Sequence, residues 1–127
     1  MIRNGIDLVD IERIARTINR QGARFLDRIF TKAEQAQCEG RIPSLAGRFA
    51  VKEAVAKAFG TGIGDMNWTD IEILQDERGC PHLHLHNRAQ EVAASQHLGH
   101  WSVSLSHTDT HAVGLATALD MAAISIK

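Results

Sequence analysis

The sequence predicts one α+β domain, in which a long central helix packs against a mainly antiparallel sheet beside several shorter helices. Three observations support this fold class. Residues 45–58 repeat apolar side chains with the helical period, and residues 70–86 and 101–119 each alternate as two strands around a short turn. A chain of 127 residues without internal repeats or long linkers is expected to be a single domain, residues 1–127.

The amino-terminal part is predicted to contain one strand and three short helices. Residues 2–9 begin as a strand in which Asp7 points to the face opposite its apolar neighbours. Asp10 can cap the helix that follows, and a second helix is predicted over residues 23–30. A Thr-x-x-Glu capping box then predicts a third helix over residues 31–40.

The central helix is predicted to begin at Ser44, which can cap it after Pro43, and to end at Gly60. Its two apolar faces indicate packing on both sides. Charged side chains on such a helix need an ion pair, a solvated cleft or a ligand. Two interpretations of Glu53 and Lys57 stay open: an ordinary i, i+4 ion pair, or groups that bind a ligand.

The second half of the chain is predicted to form two hairpins separated by one helix. The predicted elements are strand 70–75, turn 76–80, strand 81–86, helix 87–98 with Asn87 as its cap and Gly99 as its stop, strand 101–106, turn 107–110 and strand 111–119. The residues from Asp120 to Lys127 give no clear assignment.

Three histidines, His82, His84 and His86, share one face of the predicted strand 81–86. A transition-metal site is one interpretation, and the period-2 pattern of a half-exposed strand is the other. Because no cysteine or carboxylate is clearly placed to complete a site, the sequence favours the second.

The charge is unevenly distributed, although the formal net charge is only -1. Residues 11–32 are distinctly basic, which indicates an acidic partner protein or a solvated helix face. The arginines predicted to form this surface are Arg13, Arg16, Arg20 and Arg24. Few aromatic residues and no RNA-binding signature argue against a nucleic-acid partner.

The two cysteines, Cys38 and Cys80, lie far apart without zinc-type spacing. They are expected to be free thiols in a reducing compartment. No apolar run has the length of a membrane span, and the amino terminus lacks the pattern of a signal peptide. We therefore expect a cytoplasmic protein that does not contact a membrane.

The glycine-rich segment 60–64 does not match a nucleotide-binding loop, because it follows a helix and contains no lysine. It is expected to be a flexible segment that can approach a ligand closely, with Lys57 one turn before it. Phosphoryl chemistry needs oxygen ligands for a hard cation and positive groups around the phosphates. Asp7 and Glu53 could supply the carboxylates, and donors could come from Lys57 and from two further residues, Arg48 and His107.

Four blocks in order resemble those of bacterial holo-acyl-carrier-protein synthases. They are residues 5–14 (GIDLVDIERI), 30–34 (FTKAE), 48–62 (RFAVKEAVAKAFGTG) and 104–108 (SLSHT). That family is the small, trimeric class of 4'-phosphopantetheinyl transferases, with an α+β fold and active sites at subunit interfaces. The resemblance runs from about residue 4 to residue 118.

The resemblance implies that Asp7 and Glu53 bind Mg²⁺ and that these two residues and Lys57 form the catalytic group. The implied contacts with coenzyme A are Arg48, Lys57, Gly60, Gly62, His107 and Thr108, with His107 from this or a neighbouring chain. Arg13 and the adjacent arginines would face an acidic acyl carrier protein.

The function implied is transfer of the 4'-phosphopantetheine group from coenzyme A to a serine of apo-acyl carrier protein, by a homotrimer. Two alternatives stay open. A Mg²⁺-dependent nucleotide-diphosphate hydrolase would use the same carboxylates and lysine, and a non-catalytic module would bind coenzyme A or the carrier protein only.

Overall fold

The computed structural model describes residues 1–121, so residues 122–127 of the predicted domain lie outside the described part. Five strands, five α-helices and one 3₁₀ turn form the described chain, which confirms the α+β class. The elements are β1 (Ile2–Asp10), α1 (Ile11–Gln21), α2 (Ala23–Ile29), α3 (Lys32–Cys38), α4 (Ile42–Ala58), the 3₁₀ turn (Trp68–Asp70), β2 (Ile71–Gln75), β3 (Pro81–Leu85), α5 (Asn87–Ser95), β4 (Leu98–His107) and β5 (His111–Asp120).

The strands form two antiparallel sheets instead of one. A three-stranded sheet has the order β1-β5-β4, and β2 and β3 form a separate hairpin. The first and last strands of the described chain are therefore neighbours, in a register that runs from the Ile2–Leu119 pair to the Asp10–His111 pair.

Helix α4 lies directly against the three-stranded sheet, because two glycines remove the side chains that would separate them. A Cβ atom at Gly5 of β1 would lie 1.9 Å from the Ala54 carbonyl oxygen. A Cβ atom at Gly114 of β5 would lie 2.4 Å from the Ala50 carbonyl carbon. The alanine-rich side of α4 completes this close contact. The packing fixes the position of α4 relative to β1.

The start of α4 differs from the prediction. The helix begins at Ile42 with Arg41 as its N-cap and Pro43 in the first turn, so Ser44 is inside the helix and does not cap it. Proline favours this position because the first-turn N–H groups have no partner within the helix. Gly60 adopts a left-handed φ of 82° two residues after the helix, as the sequence predicts.

One face of α4 carries a charge that is fully buried. Lys52 forms an ion pair with Glu34 of α3, with 2.8 Å between Nζ and Oε1, and both side chains are inaccessible to solvent. The other Glu34 oxygen accepts a hydrogen bond from the Ile73 N–H at 2.8 Å. Burial is the main cause that lowers the pKa of Lys52. This pair connects α3, α4 and β2 through the core.

Helix α5 is shorter than predicted. It ends at Ser95, and Gly99 belongs to β4 instead of stopping the helix. The chain leaves the helical conformation earlier than predicted because His97 adopts a left-handed φ of 60°. Asn87 is the first helical residue and His86 precedes it as the N-cap, so the predicted Asn87 cap is also wrong. The Asn87 amide donates to Asp70 Oδ1 at 3.2 Å instead.

Both cysteines are free thiols as predicted, with Cys38 buried and Cys80 exposed. Among residues 1–121, no helix combines the length and the apolar character needed to cross a membrane.

Candidate functional site

Strand β1 presents two different faces. Asp7 points toward α4 and is partly buried, whereas Ile6 and Leu8 point to the opposite side and are 60% and 65% exposed. This orientation confirms the predicted alternation. The carboxylate of Asp7 is consequently held between the sheet and the central helix.

Glu53 lies on α4 and lines the same cleft as Asp7. The cleft has a volume of about 560 Å³, and its wall also includes Arg13 of α1 and His111 of β5. Phe49, one turn before Glu53, contributes an apolar part of the wall. The fold thus brings together two carboxylates that are far apart in the sequence.

The two carboxylates of the cleft are close enough to repel each other electrostatically. The pKa of Glu53 is raised, first by burial and then by the negative charge of Asp7, while Lys57 opposes the shift. Two ionised carboxylates at one site are unfavourable unless a cation lies between them or beside them.

Lys57 supplies part of that positive charge. Its Nζ donates to Asp7 Oδ1 at 2.8 Å and to the Ile6 carbonyl oxygen at 3.0 Å. The bond to Asp7 is the main cause that raises the pKa of Lys57. Lys57 therefore joins α4 to β1 through an ion pair with Asp7, and Glu53 contributes a weaker Coulombic attraction.

The arrangement fits a small divalent cation of the Mg²⁺ type. Such ions prefer oxygen ligands and take one or two protein carboxylates, with water and substrate oxygens in the other positions. Asp7 and Glu53 provide two carboxylates at the wall of an open cleft, and their mutual repulsion would be relieved by a bound cation. The donor set therefore supports the predicted metal pair.

The glycine loop follows directly beyond Lys57. Gly60 and Gly62 have left-handed φ values of 82° and 67° and are exposed. The guanidinium of Arg3 donates to the carbonyl oxygens of Ala58 and Phe59, each at 3.3 Å, and holds the start of the loop. The exposed backbone beyond Lys57 is thus accessible to a ligand.

Arg48 lies elsewhere, and this differs from the prediction. It is 2% exposed, and its guanidinium donates to the Ile73 carbonyl oxygen at 3.0 Å, to Cys38 Sγ at 3.0 Å and to Gln37 Oε1 at 2.7 Å. It shares the α4 face of Lys52, which is turned toward α3 and β2. Arg48 is therefore engaged within the core and does not reach the carboxylate cleft.

His107 and Thr108 also lie apart from the carboxylates within one chain. His107 ends β4, and β5 separates β4 from β1. Two strand spacings correspond to about 10 Å between β4 and β1. The Thr108 hydroxyl accepts hydrogen bonds from the N–H groups of Thr110 and His111 at 3.2 and 3.1 Å, which organises the β4–β5 turn. One chain alone does not combine all the predicted site residues.

His111 is a residue of the cleft to which the sequence analysis assigned no role. It begins β5 opposite Asp10 and lines the cleft with Asp7 and Glu53. Its Nδ1 lies 2.9 Å from the Thr110 hydroxyl oxygen. The position of His111 follows from the pairing of β1 with β5, for which the local sequence pattern contains no signal.

The predicted arginine surface is exposed and adjoins the cleft. Arg13 lines the cleft itself, and Arg16 forms an exposed ion pair with Glu12 at 3.2 Å. Arg20 lies in the last turn of α1, and Arg24 lies in α2. The four arginines therefore continue from the cleft along the α1–α2 side of the molecule.

Comparisons with known proteins identify the family. A family described as the 4'-phosphopantetheinyl transferase superfamily matches residues 3–116. The holo-[acyl-carrier-protein] synthase of Alkaliphilus oremlandii is 46% identical over 118 residues, which cover 91% of this chain and 96% of that protein.

Two solved structures are similar in fold and sequence. The holo-[acyl-carrier-protein] synthase of Neisseria meningitidis has a TM-score of 0.85 and 33% identity, covering 94% of this chain and 99% of that one. The Helicobacter pylori synthase in complex with coenzyme A has a TM-score of 0.84 and 32% identity, covering 94% and 100%. The four sequence blocks, the architecture and these matches together show that the chain belongs to the 4'-phosphopantetheinyl transferase superfamily.

Proposed function

We propose that this protein transfers the 4'-phosphopantetheine group of coenzyme A to a serine hydroxyl of an apo-acyl carrier protein, in a Mg²⁺-dependent reaction. The observation that carries this proposal is the carboxylate pair of Asp7 and Glu53, with Lys57 bonded to Asp7 beside an open cleft. Its relatives are holo-[acyl-carrier-protein] synthases, and one similar structure contains coenzyme A.

Asp7 and Glu53 would hold the magnesium ion. When bound, the ion would neutralise charge that develops on the diphosphate as the bond to the leaving group breaks. The chain's own contribution is positional, because β1 and α4 hold one carboxylate each and the close helix–sheet contact at Gly5 and Gly114 keeps them together.

Lys57 and the glycine loop would bind the phosphates of the donor. The ammonium group of Lys57 provides positive charge beside Asp7, and the exposed backbone at Gly60 and Gly62 allows close approach of a diphosphate. Arg48 is not included in this binding site, since its guanidinium has three partners inside the core.

The carrier protein would supply the nucleophile. Its serine oxygen forms a new bond to the phosphorus that carries the pantetheine arm, and the bond from that phosphorus to the adenosine bisphosphate breaks. The serine proton passes to a water molecule, and the adenosine bisphosphate departs with the electron pair of the broken P–O bond. The exposed arginines beside the cleft would orient an acidic carrier protein for this attack: Arg13, Arg16, Arg20 and Arg24.

We also propose that three copies assemble, with the outer face of the three-stranded sheet at the contact. This face carries Ile2, Ile6, Leu8 and Leu115, which are 66%, 60%, 65% and 42% exposed. Ile6 and Leu115 are directly opposite each other in the β1–β5 register. Exposed large apolar side chains gathered on one sheet face are typical of a protein interface. A neighbouring copy could bring its His107 and Thr108 to the nucleotide end of the donor.

The experiment that tests the function is mass spectrometry of apo-acyl carrier protein after incubation with this protein, coenzyme A and Mg²⁺. Transfer predicts one added phosphopantetheine group and release of adenosine bisphosphate. A hydrolase would release product from coenzyme A without carrier protein, and a binding module would leave both molecules unchanged. Either of those two outcomes would contradict the proposal.

Asp7→Ala and Glu53→Ala test the metal pair. Each variant is expected to fold and to lose Mg²⁺-dependent transfer, because one of the two oxygen donors is missing. Asp65→Ala is a matched control, since Asp65 is an exposed carboxylate that pairs with Arg88 outside the cleft. Normal turnover by either cleft variant would refute the assignment.

A further inference from the structure

The turn between β2 and β3 brings together three different metal-ligating side chains. Asp76 follows β2, Cys80 precedes β3, and His82 is the second residue of β3. The sequence favoured a half-exposed strand over a transition-metal site at these histidines, because no cysteine or carboxylate was clearly placed to complete a site. The structure differs on this point, since the turn folds both groups back onto His82.

The three ligand atoms converge. One oxygen of Asp76, one ring nitrogen of His82 and the Cys80 sulfur all lie within 4.8 Å of one another. His82 Nε2 is 2.9 Å from Asp76 Oδ2. All three side chains are exposed, so they can move to close around an ion.

The carboxylate of Asp76 is already oriented by the backbone. Its Oδ1 accepts hydrogen bonds from the N–H groups of Arg78 and Cys80 at 2.9 and 3.0 Å. Oδ2 is therefore turned toward His82. Such hydrogen bonds to a ligating carboxylate are the kind of support that metal sites use to hold their ligands.

The chemistry of the three donors selects the type of ion. A thiolate, an imidazole and a carboxylate are together the ligands of Zn²⁺, whereas Mg²⁺ prefers oxygen donors alone. A tetrahedral Zn²⁺ with bonds of about 2.0–2.3 Å holds its ligand atoms roughly 3.3–3.8 Å apart. The observed ligand atoms lie within 4.8 Å of one another, so zinc binding requires side-chain rotations that bring them to this spacing, with a water molecule in the fourth position.

We propose that Asp76, Cys80 and His82 form a Zn²⁺ site that clips the ends of the β2–β3 turn together. The site uses none of the residues that line the carboxylate cleft. The ion binds with loss of the Cys80 thiol proton and with a ring nitrogen of His82 free of its proton, because only these forms are ligands. The proposal is independent of the transferase activity.

A titration of the purified protein with Co²⁺, followed by absorption spectroscopy, tests the site. Co²⁺ substitutes for Zn²⁺ and gives a thiolate-to-cobalt charge-transfer band only when sulfur is a ligand. We expect a band that saturates at one equivalent, is displaced by Zn²⁺ and persists in excess Mg²⁺.

Variants distinguish metal binding at this site from metal binding elsewhere on the protein. Cys80→Ser is expected to abolish the band, and His82→Ala to weaken Co²⁺ binding by at least about tenfold. His86→Ala is the matched control, because His86 lies one residue past β3 on the same face and pairs with Glu72 instead. The Co²⁺ titration curve of His86→Ala should equal that of the wild type. Melting curves without metal verify that each variant is folded.

Thiol alkylation gives a second measurement. Zn²⁺ should slow the alkylation of the exposed Cys80, while the buried Cys38 stays unmodified in the native protein and is an internal control. Absence of the cobalt band in the wild type, or an unchanged band in Cys80→Ser, would overturn the proposal. So would alkylation of Cys80 at the same rate with and without Zn²⁺.

Discussion

Lys57 of α4 donates a hydrogen bond to Asp7 of β1, with 2.8 Å between Nζ and Oδ1, although Lys57 follows Asp7 by 50 positions in the chain. This pair connects the central helix to the first strand at the wall of the cleft. Glu53 adds a second carboxylate, so the cleft has two acidic groups near one ammonium group. The cleft therefore has more negative than positive charge, which favours binding of a divalent cation. A cation bound to Asp7 would compensate its charge, so Lys57 would be available to the phosphates of a donor.

Lys57→Gln is expected to reduce transfer by about 100-fold, because the substitution removes a positive donor aimed at the charge that develops in the transition state. The transfer rate at saturating coenzyme A and Mg²⁺ measures this effect. Lys32→Gln is the control, since Lys32 also forms an exposed ion pair, with Asp27 at 2.9 Å, and neither residue lines the cleft. Equal rates for the two variants would contradict a role of Lys57 in the reaction.

Glu53→Gln is expected to stabilise the protein at neutral pH when no metal is present. The native state raises the pKa of Glu53 above its ordinary value of 4.5, so the native state holds this proton more tightly than the unfolded chain does. The proton on Glu53 therefore contributes to the free energy of unfolding. This contribution is complete below the ordinary pKa of Glu53 and is lost as the pH rises through its pKa in the native state.

Thermal unfolding of both proteins in a chelator, between about pH 4 and pH 8, tests this linkage. The Tm advantage of Glu53→Gln should be absent at the acidic end and should grow through the native pKa of Glu53. Mg²⁺ should then raise the Tm of the wild type more than that of Glu53→Gln. A constant Tm difference across the pH range would contradict the assigned linkage.

Charge reversal at Arg13 and Arg16 is expected to raise the KM for acyl carrier protein by at least about tenfold, while the affinity for coenzyme A stays unchanged. Both residues belong to the proposed docking surface, where complementary charge guides association. Steady-state kinetics with each substrate varied separately gives the two values. Arg78→Glu, an exposed arginine of the β2–β3 turn, is the matched control. An unaltered KM would remove the docking assignment.

Glu34→Gln is expected to lower the free energy of unfolding by about 3–5 kcal/mol, because it leaves the buried ammonium of Lys52 without its ion-pair partner. Urea denaturation measures the change. Glu12→Gln breaks the exposed pair with Arg16 and should cost less than about 1 kcal/mol. Similar losses in both variants would show that burial does not determine the strength of these pairs.

Leu115→Glu is expected to convert the proposed trimer to single chains, since it introduces a charge into the apolar outer face of the sheet. Sedimentation velocity measures the mass in solution. The control is Gln90→Glu, which adds a charge at an exposed position of α5. A wild-type protein that sediments as a single chain would contradict the trimer.

The local sequence pattern was sufficient to predict most helices and strands and the face of β1 on which Asp7 lies. Strand alternation and capping residues act over a few positions, so β1 and the α3 capping box could be predicted from neighbouring residues alone. The end of α5 could not be predicted in this way, because the pattern pointed to Gly99 whereas the left-handed residue is His97.

The long-range contacts could not be predicted in this way. The family resemblance pointed to both Asp7 and Arg48, yet the structure places only Asp7 at the cleft, because the orientation of Arg48 depends on α3 and β2. His111 enters the cleft through the pairing of the first and last strands. Cys80 reaches His82 through the geometry of a turn. Each of these outcomes depends on tertiary packing.

The alternation of β1 has a mechanical consequence. Asp7 shares its two peptide bonds with Ile6 and Leu8, whose side chains extend from the other side of the same strand. Any contact that immobilises those two apolar side chains also restricts the backbone that carries the acidic group. In the proposed trimer, self-association and the alignment of the reacting groups would be coupled through these three consecutive residues, without a relay across the domain.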